Sequence, residues 1–187
     1  MALWPIQERA VEGVRAAIER GVRRILVTQP TGTGKTRSMA TLIREDLKQG
    51  LNVALYTHRK LLLEQLSNVL TLEGLDHGIR AAGHFPDLGA RLQLCSFQTE
   101  ISRSVRSGHR DLYRSERVYI DEAHACDGRE MRSLVGQYVD RESVVVGFTA
   151  TPIRLGDSYD ELIVAGNTSD GRACGALVPA RHFGCGE

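Results

Sequence analysis

The sequence has almost no net charge, +1 over 187 residues, so no global basic field announces a polyanionic partner. Any nucleic acid would have to be held by local patches. Most of the positive charge is arginine, whose planar fork suits phosphate. Cysteine is sparse: Cys95, Cys126, Cys174 and Cys185 are the four, and no two form a C-x-x-C pair. That excludes the usual zinc-ribbon and dithiol spacings. Cys174, His182 and Cys185 are metal-type donors, but their spacing is irregular and a fourth ligand is not obvious. Cys95 lies in an apolar stretch and reads as a small hydrophobe. There is no apolar run long enough to span a membrane and no signal-peptide pattern. The expectation is a reduced, cytoplasmic chain with no membrane partner. There is also no internal repeat and no low-complexity linker. The length and the 42% apolar fraction suit one domain with a sizeable core.

What is present is concentrated in Gln29-Pro30-Thr31-Gly32-Thr33-Gly34-Lys35-Thr36. A short apolar strand, Arg24-Ile25-Leu26-Val27-Thr28, precedes it. Helical spacing at Met39, Leu42, Ile43 and Leu47 follows it. Strand, glycine-rich turn and helix form the context of a phosphate-binding loop. Gly32 and Gly34 let the backbone curl so that successive N–H groups face an anion. The helix behind adds its positive end. Lys35 is placed to reach the β- and γ-phosphates of a triphosphate, and the Thr36 hydroxyl to hold Mg²⁺. The first loop position, commonly Gly or Ala, is here Gln29.

The remaining elements alternate. A helix is expected over Pro5–Arg20, with Ala10, Val14, Ala17 and Ile18 on one face. Strands are expected at Ile25–Thr28, Val53–Thr57, Leu92–Ser96, Val118–Asp121 and Val144–Thr149. Helices fit at about 35–49, 61–72, 98–107 and 129–138. The strands are continuous apolar runs, the mark of burial on both faces. The pattern predicts a three-layer α/β/α sandwich with a mainly parallel sheet and its ligand at the carboxyl strand ends. Turn signals from Gly156 onward predict a core over about 1–155 of a single 1–187 domain. Residues 156–187 are then an irregular tail, or the start of a connection to something further.

A second signal is Val118-Tyr119-Ile120-Asp121-Glu122-Ala123-His124, three apolar or aromatic residues delivering two adjacent carboxylates to a strand end. Such a pair repels itself. Beside a Mg²⁺–triphosphate the penalty reverses: Asp121 is placed to hold the metal and Glu122 to orient or deprotonate the attacking water. A third apolar strand ends in Phe148-Thr149-Ala150-Thr151-Pro152. A hydrogen bond from His124 to Thr149 or Thr151 would link the γ-phosphate to a second surface.

Thr31 to Thr36, Asp121-Glu122-Ala123-His124 and Thr149-Ala150-Thr151 resemble motifs I, II and III of superfamily 2 helicases of the DEAH type, in the order and separations of their first RecA-like domain. Leu3-Trp4-Pro5-Ile6-Gln7 resembles the segment whose glutamine reads adenine. Thr57 to Gln65 is similar to motif Ia, and Ser96-Phe97-Gln98-Thr99 to motif Ib. Thr151 to Asp157 looks like the segment after motif III in the branch of type III restriction subunits and repair helicases.

The resemblance implies a P-loop motor domain that uses ATP and Mg²⁺. The lysine of motif I, Lys35, and the acids of motif II, Asp121 and Glu122, act on the nucleotide, which is cradled by Pro30, Thr31, Gly32, Thr33, Gly34 and Thr36. Gln7 would hydrogen-bond adenine. Trp4 would stack on it, or else lie in the core. The nucleic-acid contacts nominated are Arg59, Lys60, Gln98 and Thr99, with DNA favoured over RNA by analogy. Arg103, Arg106, Arg110, Arg114 and Arg117 recur at helical spacing, but Gly108, Asp111 and Glu116 interrupt them, so they read as a solvated face. Nothing after Thr151 resembles motifs IV to VI, so a second RecA-like domain, in cis or in trans, is expected. Two other readings stand beside the motor. One is a nucleotide-dependent nucleic-acid-binding module whose hydrolysis needs a partner, or an RNA helicase domain. The other is a small-molecule P-loop kinase, which leaves the Asp121–His124 and Thr149–Thr151 blocks unexplained.

Overall fold

The computed structural model describes residues 2–58, 60–85, 87, 89–108, 111–126, 128–152, 155 and 158–178, with backbone alone for 60, 61, 125 and 126. Seven parallel strands form one sheet in the order β3-β4-β2-β5-β6-β1-β7. They are β1 (Arg24–Thr28), β2 (Val53–Thr57), β3 (Gly78–Arg80), β4 (Leu92–Ser96), β5 (Arg117–Ile120), β6 (Val144–Thr149) and β7 (Glu161–Val164). The helices are α1 (Pro5–Glu19), α2 (Lys35–Lys48), α3 (Lys60–Leu72), α4 (Phe97–Glu100), α5 (Arg129–Val139) and α6 (Thr168–Ala173).

Every residue of β2 and β6 is buried, because helices cover both sheet faces. On one face, Ala10, Val14 and Ala17 of α1 share a core with Met39 and Ile43 of α2 and Leu63, Leu66 and Leu70 of α3. On the other, Met131, Leu134 and Tyr138 of α5 pack with Phe97 and Ile101. The expected three-layer α/β sandwich is therefore the observed architecture. Pro5 sits at the first turn of α1, where its missing N–H costs nothing.

Three features depart from expectation. The helix expected over 98–107 is a short α-turn that continues as a π-helix over Ile101–Arg106. There Glu100, fully buried, pairs with Arg80 at 3.2 Å and accepts from the Ser104 hydroxyl at 3.3 Å. Strand β3 is only three residues long and begins at a glycine, too short for a periodic pattern to show.

The expected irregular tail after 155 is the third correction. Glu161–Val164 pairs in parallel with β1, and Ala165 extends that ladder by donating its N–H to Thr28. Strand β7 is an edge, half exposed, so its pattern is weak. The helix after it is capped reciprocally by Asn167 and Asp170. Among the described residues, no helix is long and apolar enough to cross a membrane.

Candidate functional site: a phosphate loop facing an acidic strand end

The loop 29–36 leaves the carboxyl end of β1 and enters α2. Gly32 and Gly34 both have φ of 80°, a left-handed conformation that favours glycine. At Gly34 space is also lacking, since a Cβ there would come within 2.3 Å of Gln7 Nε2. Lys35 is the first residue of α2 and is 9% exposed. Thr31 and Gly32 lie on the outer lip, with Thr36 half-buried behind them.

The acidic pair follows β5, which β6 alone separates from β1. Asp121 is 8% exposed and continues the β5–β2 ladder through its N–H to Tyr56 O at 2.9 Å. Glu122 has φ of 50°, an outlier for a residue with a Cβ, of the kind that gathers at functional sites. Its carboxylate lies between two cations or potential cations. Lys35 Nζ is 3.5 Å from one oxygen, and His124 Nδ1 is 3.3 Å from the other. His124 Nδ1 is also hydrogen-bonded with Thr149 Oγ1 at 2.9 Å. The Thr149 hydroxyl in turn accepts from the Thr151 N–H at 3.0 Å. One chain of contacts thus crosses three strand ends, from Lys35 through Glu122 and His124 to Thr149. Thr151 enters it through its backbone.

Burial, followed by the neighbouring Glu122, pushes the Asp121 carboxyl up to about 6, against the pull of Lys35. Two adjacent carboxylates, one buried and one half-buried, are a donor set that a divalent cation relieves. Together with a buried lysine and a glycine-curled loop, these are residues whose chemistry fits a Mg²⁺–nucleotide.

Other predicted residues have different placements. Gln7 is 2% exposed and has both amide atoms engaged. Its Oε1 accepts from the Trp4 N–H at 3.0 Å and its Nε2 donates to Thr33 O at 3.0 Å. In this structure it braces the loop from the start of α1. Trp4 is the N-cap of α1 and 40% exposed, so it is not a core tryptophan. Thr33 is fully buried and donates its hydroxyl to Pro30 O at 2.6 Å, turning its side chain into the loop.

Of the nominated nucleic-acid contacts, Gln98 is exposed at the start of α4. Thr99 is 9% exposed and its hydroxyl accepts from the Ala82 N–H at 3.3 Å. Arg59 and the Lys60 side chain lie outside the described residues. In the arginine series, Arg117 is drawn inward to Asp46 at 3.3 Å and Arg106 pairs with Glu130; Arg110 is outside the described residues. Cys174 donates its thiol to Gly171 O at 3.4 Å, and His182 and Cys185 are outside the described residues. No group of three or more metal-type donors occurs among the described residues.

Two contributors escaped the sequence reading. Gln29, fully buried, donates Nε2 to Thr33 O at 3.0 Å and accepts from Ser38 Oγ at 3.0 Å, while its N–H reaches Thr149 O at 2.9 Å. The unusual first loop residue ties loop, helix and β6 together. The segment after β7 also reaches the loop: a Cβ at Gly32 would meet Leu177 at 2.9 Å. The Asn-x-x-Asp capping box at 167–170 was the available signal for that segment.

A parallel sheet with a phosphate loop after β1 and an Asp-Glu-Ala-His turn after β5 defines a RecA-like helicase-type domain. The chain belongs to the family described as the type III restriction enzyme res subunit, which matches residues 1–154.

Solved structures agree on the fold. The UvsW helicase of bacteriophage T4 superposes with a TM-score of 0.66 at 16% identity, over 85% of this chain and 58% of that one. The Hef helicase domain of Pyrococcus furiosus gives 0.63 at 18%, over 87% and 39%. The SWI2/SNF2 ATPase core of Sulfolobus solfataricus, solved with double-stranded DNA, gives 0.63 at 17%, over 85% and 34%. This chain therefore spans between about a third and three fifths of those structures' lengths. No curated protein is similar enough to this sequence to count as a relative.

Proposed function

We propose that this chain is the ATP-binding and hydrolysing first motor domain of a DNA helicase or translocase, working in the cytoplasm with a second RecA-like domain. The observation that carries the reading is the contact chain from Lys35 through Glu122 and His124 to Thr149. It joins the groups suited to a triphosphate to a neighbouring strand end that can report on it. A bound Mg²⁺ supplies charge neutralisation for a triphosphate and its leaving group.

The chain's own residues do the rest. Gly32 and Gly34 shape the loop, and Lys35 holds negative charge where it is already buried. Asp121 and Thr36 are the metal-side groups. Glu122 is the general base: the proton of the attacking water passes to its carboxylate, which is held between Lys35 and His124. His124 and Thr149 couple the site to the surface that carries nucleic acid. Gln98 and the Arg59–Lys60 segment contact that strand's phosphates. Trp4, exposed at the start of α1, is available to adenine, whereas Gln7 can read the base only by releasing one of its present partners.

Turnover of Mg-ATP by the 187-residue chain, alone and with single-stranded DNA, duplex DNA or RNA, tests the reading. Stimulation by DNA is expected. Lack of nucleotide binding would overturn it. Intact ATP binding with no turnover under any condition would favour the second reading, a nucleotide-dependent binding module completed by a partner. The partial coverage of the solved helicases is what keeps that reading in play. Thr149→Ala should lower the nucleic-acid stimulation with ATP affinity unchanged, whereas Thr151→Ala, which leaves the backbone contacts of Thr151 with Thr149 in place, should leave it. Equal stimulation in wild type and Thr149→Ala would remove the coupling role.

A further inference from the structure

The proposed nucleic-acid contacts lie at the ends of β2 and β4. One strand further out, the chain leaves β3 and returns to β4 through residues 81–91, of which 86 and 88 lie outside the described residues, and its described part is anchored at several points. Gln93, fully buried in β4, donates Nε2 to the carbonyls of Asp87 and Ala90 at 2.6 and 2.8 Å. Asp87 Oδ1 accepts from the Gly89 N–H at 2.9 Å. The Ala82 N–H donates to Thr99 Oγ1 at 3.3 Å, which ties the start of the connection to the first turn of α4. Gly83, at φ 85°, turns the chain outward from there.

The residue presented at that turn is Phe85, 100% exposed. Among the described residues, the next most exposed large apolar side chains are aliphatic, Leu72 at 87% and Val178 at 84%. An anchored loop that holds an aromatic ring wholly in solvent forgoes the burial that a phenylalanine would otherwise gain. Its place explains what the ring can meet. All strands are parallel, so the loop after β3 starts at the same carboxyl end of the sheet as Gln98 and Thr99. It is also five strand spacings from β1, about 24 Å, too far to touch a nucleotide at the phosphate loop. The charges in the 81–91 segment are Asp87 and Arg91, so the ring is flanked by no acidic run that would repel phosphate.

We propose that Phe85 is a base-stacking platform for a single-stranded nucleic acid, receiving a base at the outer edge of the sheet after the backbone has passed Gln98 and Thr99. This rests on the nucleic-acid-binding reading above. Stacking on an aromatic face tolerates any base, so the platform adds affinity without sequence preference.

The test is fluorescence anisotropy with the full chain and two labelled single-stranded DNA probes, one normal and one carrying consecutive abasic sites. Wild type should prefer the normal strand by roughly 5- to 100-fold. Phe85→Ala should bind both strands equally, at the affinity wild type shows for the abasic one. Phe85→Trp should restore the preference. The ring is fully exposed, so these variants should keep the wild-type melting temperature and ATP affinity. The stacking role is overturned if Phe85→Ala discriminates as well as wild type. It is equally overturned if the substitution changes only the oligomeric state, since the ring would then meet a second copy. Failure of wild type to bind any strand, with ATP binding intact, would instead remove the nucleic-acid reading itself and this inference with it.

Discussion

Within β5, Tyr119 donates its hydroxyl to Asp46 at 2.6 Å, and Arg117 stands 3.3 Å from the same carboxylate. Just past the carboxyl end of that strand, Asp121 accepts a hydrogen bond from the Glu122 N–H at 3.0 Å and has another carboxylate as its chain neighbour. Both aspartates are buried, at 6% and 8% exposure, and burial raises both. The difference lies in the company. Asp46 is pulled back by a hydroxyl and a guanidinium, whereas Asp121 is pushed further by the Glu122 charge, with Lys35, the Glu122 N–H and His124 opposing. The first arrangement holds α2 to the sheet. The second is costly to the protein alone and fits a cation brought by a ligand.

Four substitutions would break or sharpen that contrast. The largest effect is expected for Glu122→Gln, which should lower ATP turnover by about 10²–10⁴-fold while ATP affinity stays within a few fold. Normal hydrolysis would end the general-base assignment. Gly34→Ala comes next. It forces a Cβ toward Gln7 Nε2 at a left-handed φ and should cost about 1–3 kcal/mol in denaturant unfolding together with most nucleotide affinity.

Asp121→Asn should do the reverse for stability. The folded chain keeps the Asp121 proton to about pH 6, whereas an unfolded aspartate loses it near 3.9. Between those values the folded state binds more protons, so nucleotide-free stability should fall as pH rises from about 4 to 6. Asparagine should remove that slope and leave the protein about 2–3 kcal/mol more stable at pH 8, while weakening Mg²⁺-dependent binding. A wild-type stability profile that rises across this window would contradict the assignment. The smallest effect is expected for Tyr119→Phe, about 1–2 kcal/mol in unfolding with nucleotide affinity unchanged, because it strips a hydrogen bond from a carboxylate remote from the phosphate loop.

The same contrast separates what the sequence shows from what it hides. The five continuous apolar strands and the phosphate-loop and Asp-Glu-Ala-His blocks are local patterns, legible because burial on both faces and close phosphate approach each demand particular residue types in succession. Strand β3 is three residues led by Gly78, and β7 alternates weakly at an exposed edge. Neither carries enough periodicity to stand out from its turns. Gln29, Gln7 and Asp46 are long-range devices: each is a polar residue whose meaning lies in a partner 26 to 73 positions away or in another element's backbone. The left-handed Glu122 is likewise set by the packing of its strand end, and nothing in the chemistry of a glutamate announces it.

The central claim is that the carboxylates after β5 and the lysine that opens α2 form one Mg²⁺-dependent triphosphate site. Equilibrium titration of ATP, with and without Mg²⁺, into wild type, Lys35→Ala and Asp121→Asn tests it most directly. The account predicts that Mg²⁺ tightens binding to wild type, that Asp121→Asn loses that increment, and that Lys35→Ala loses binding altogether. Affinity indifferent to Mg²⁺, or Lys35→Ala binding as well as wild type, would contradict it.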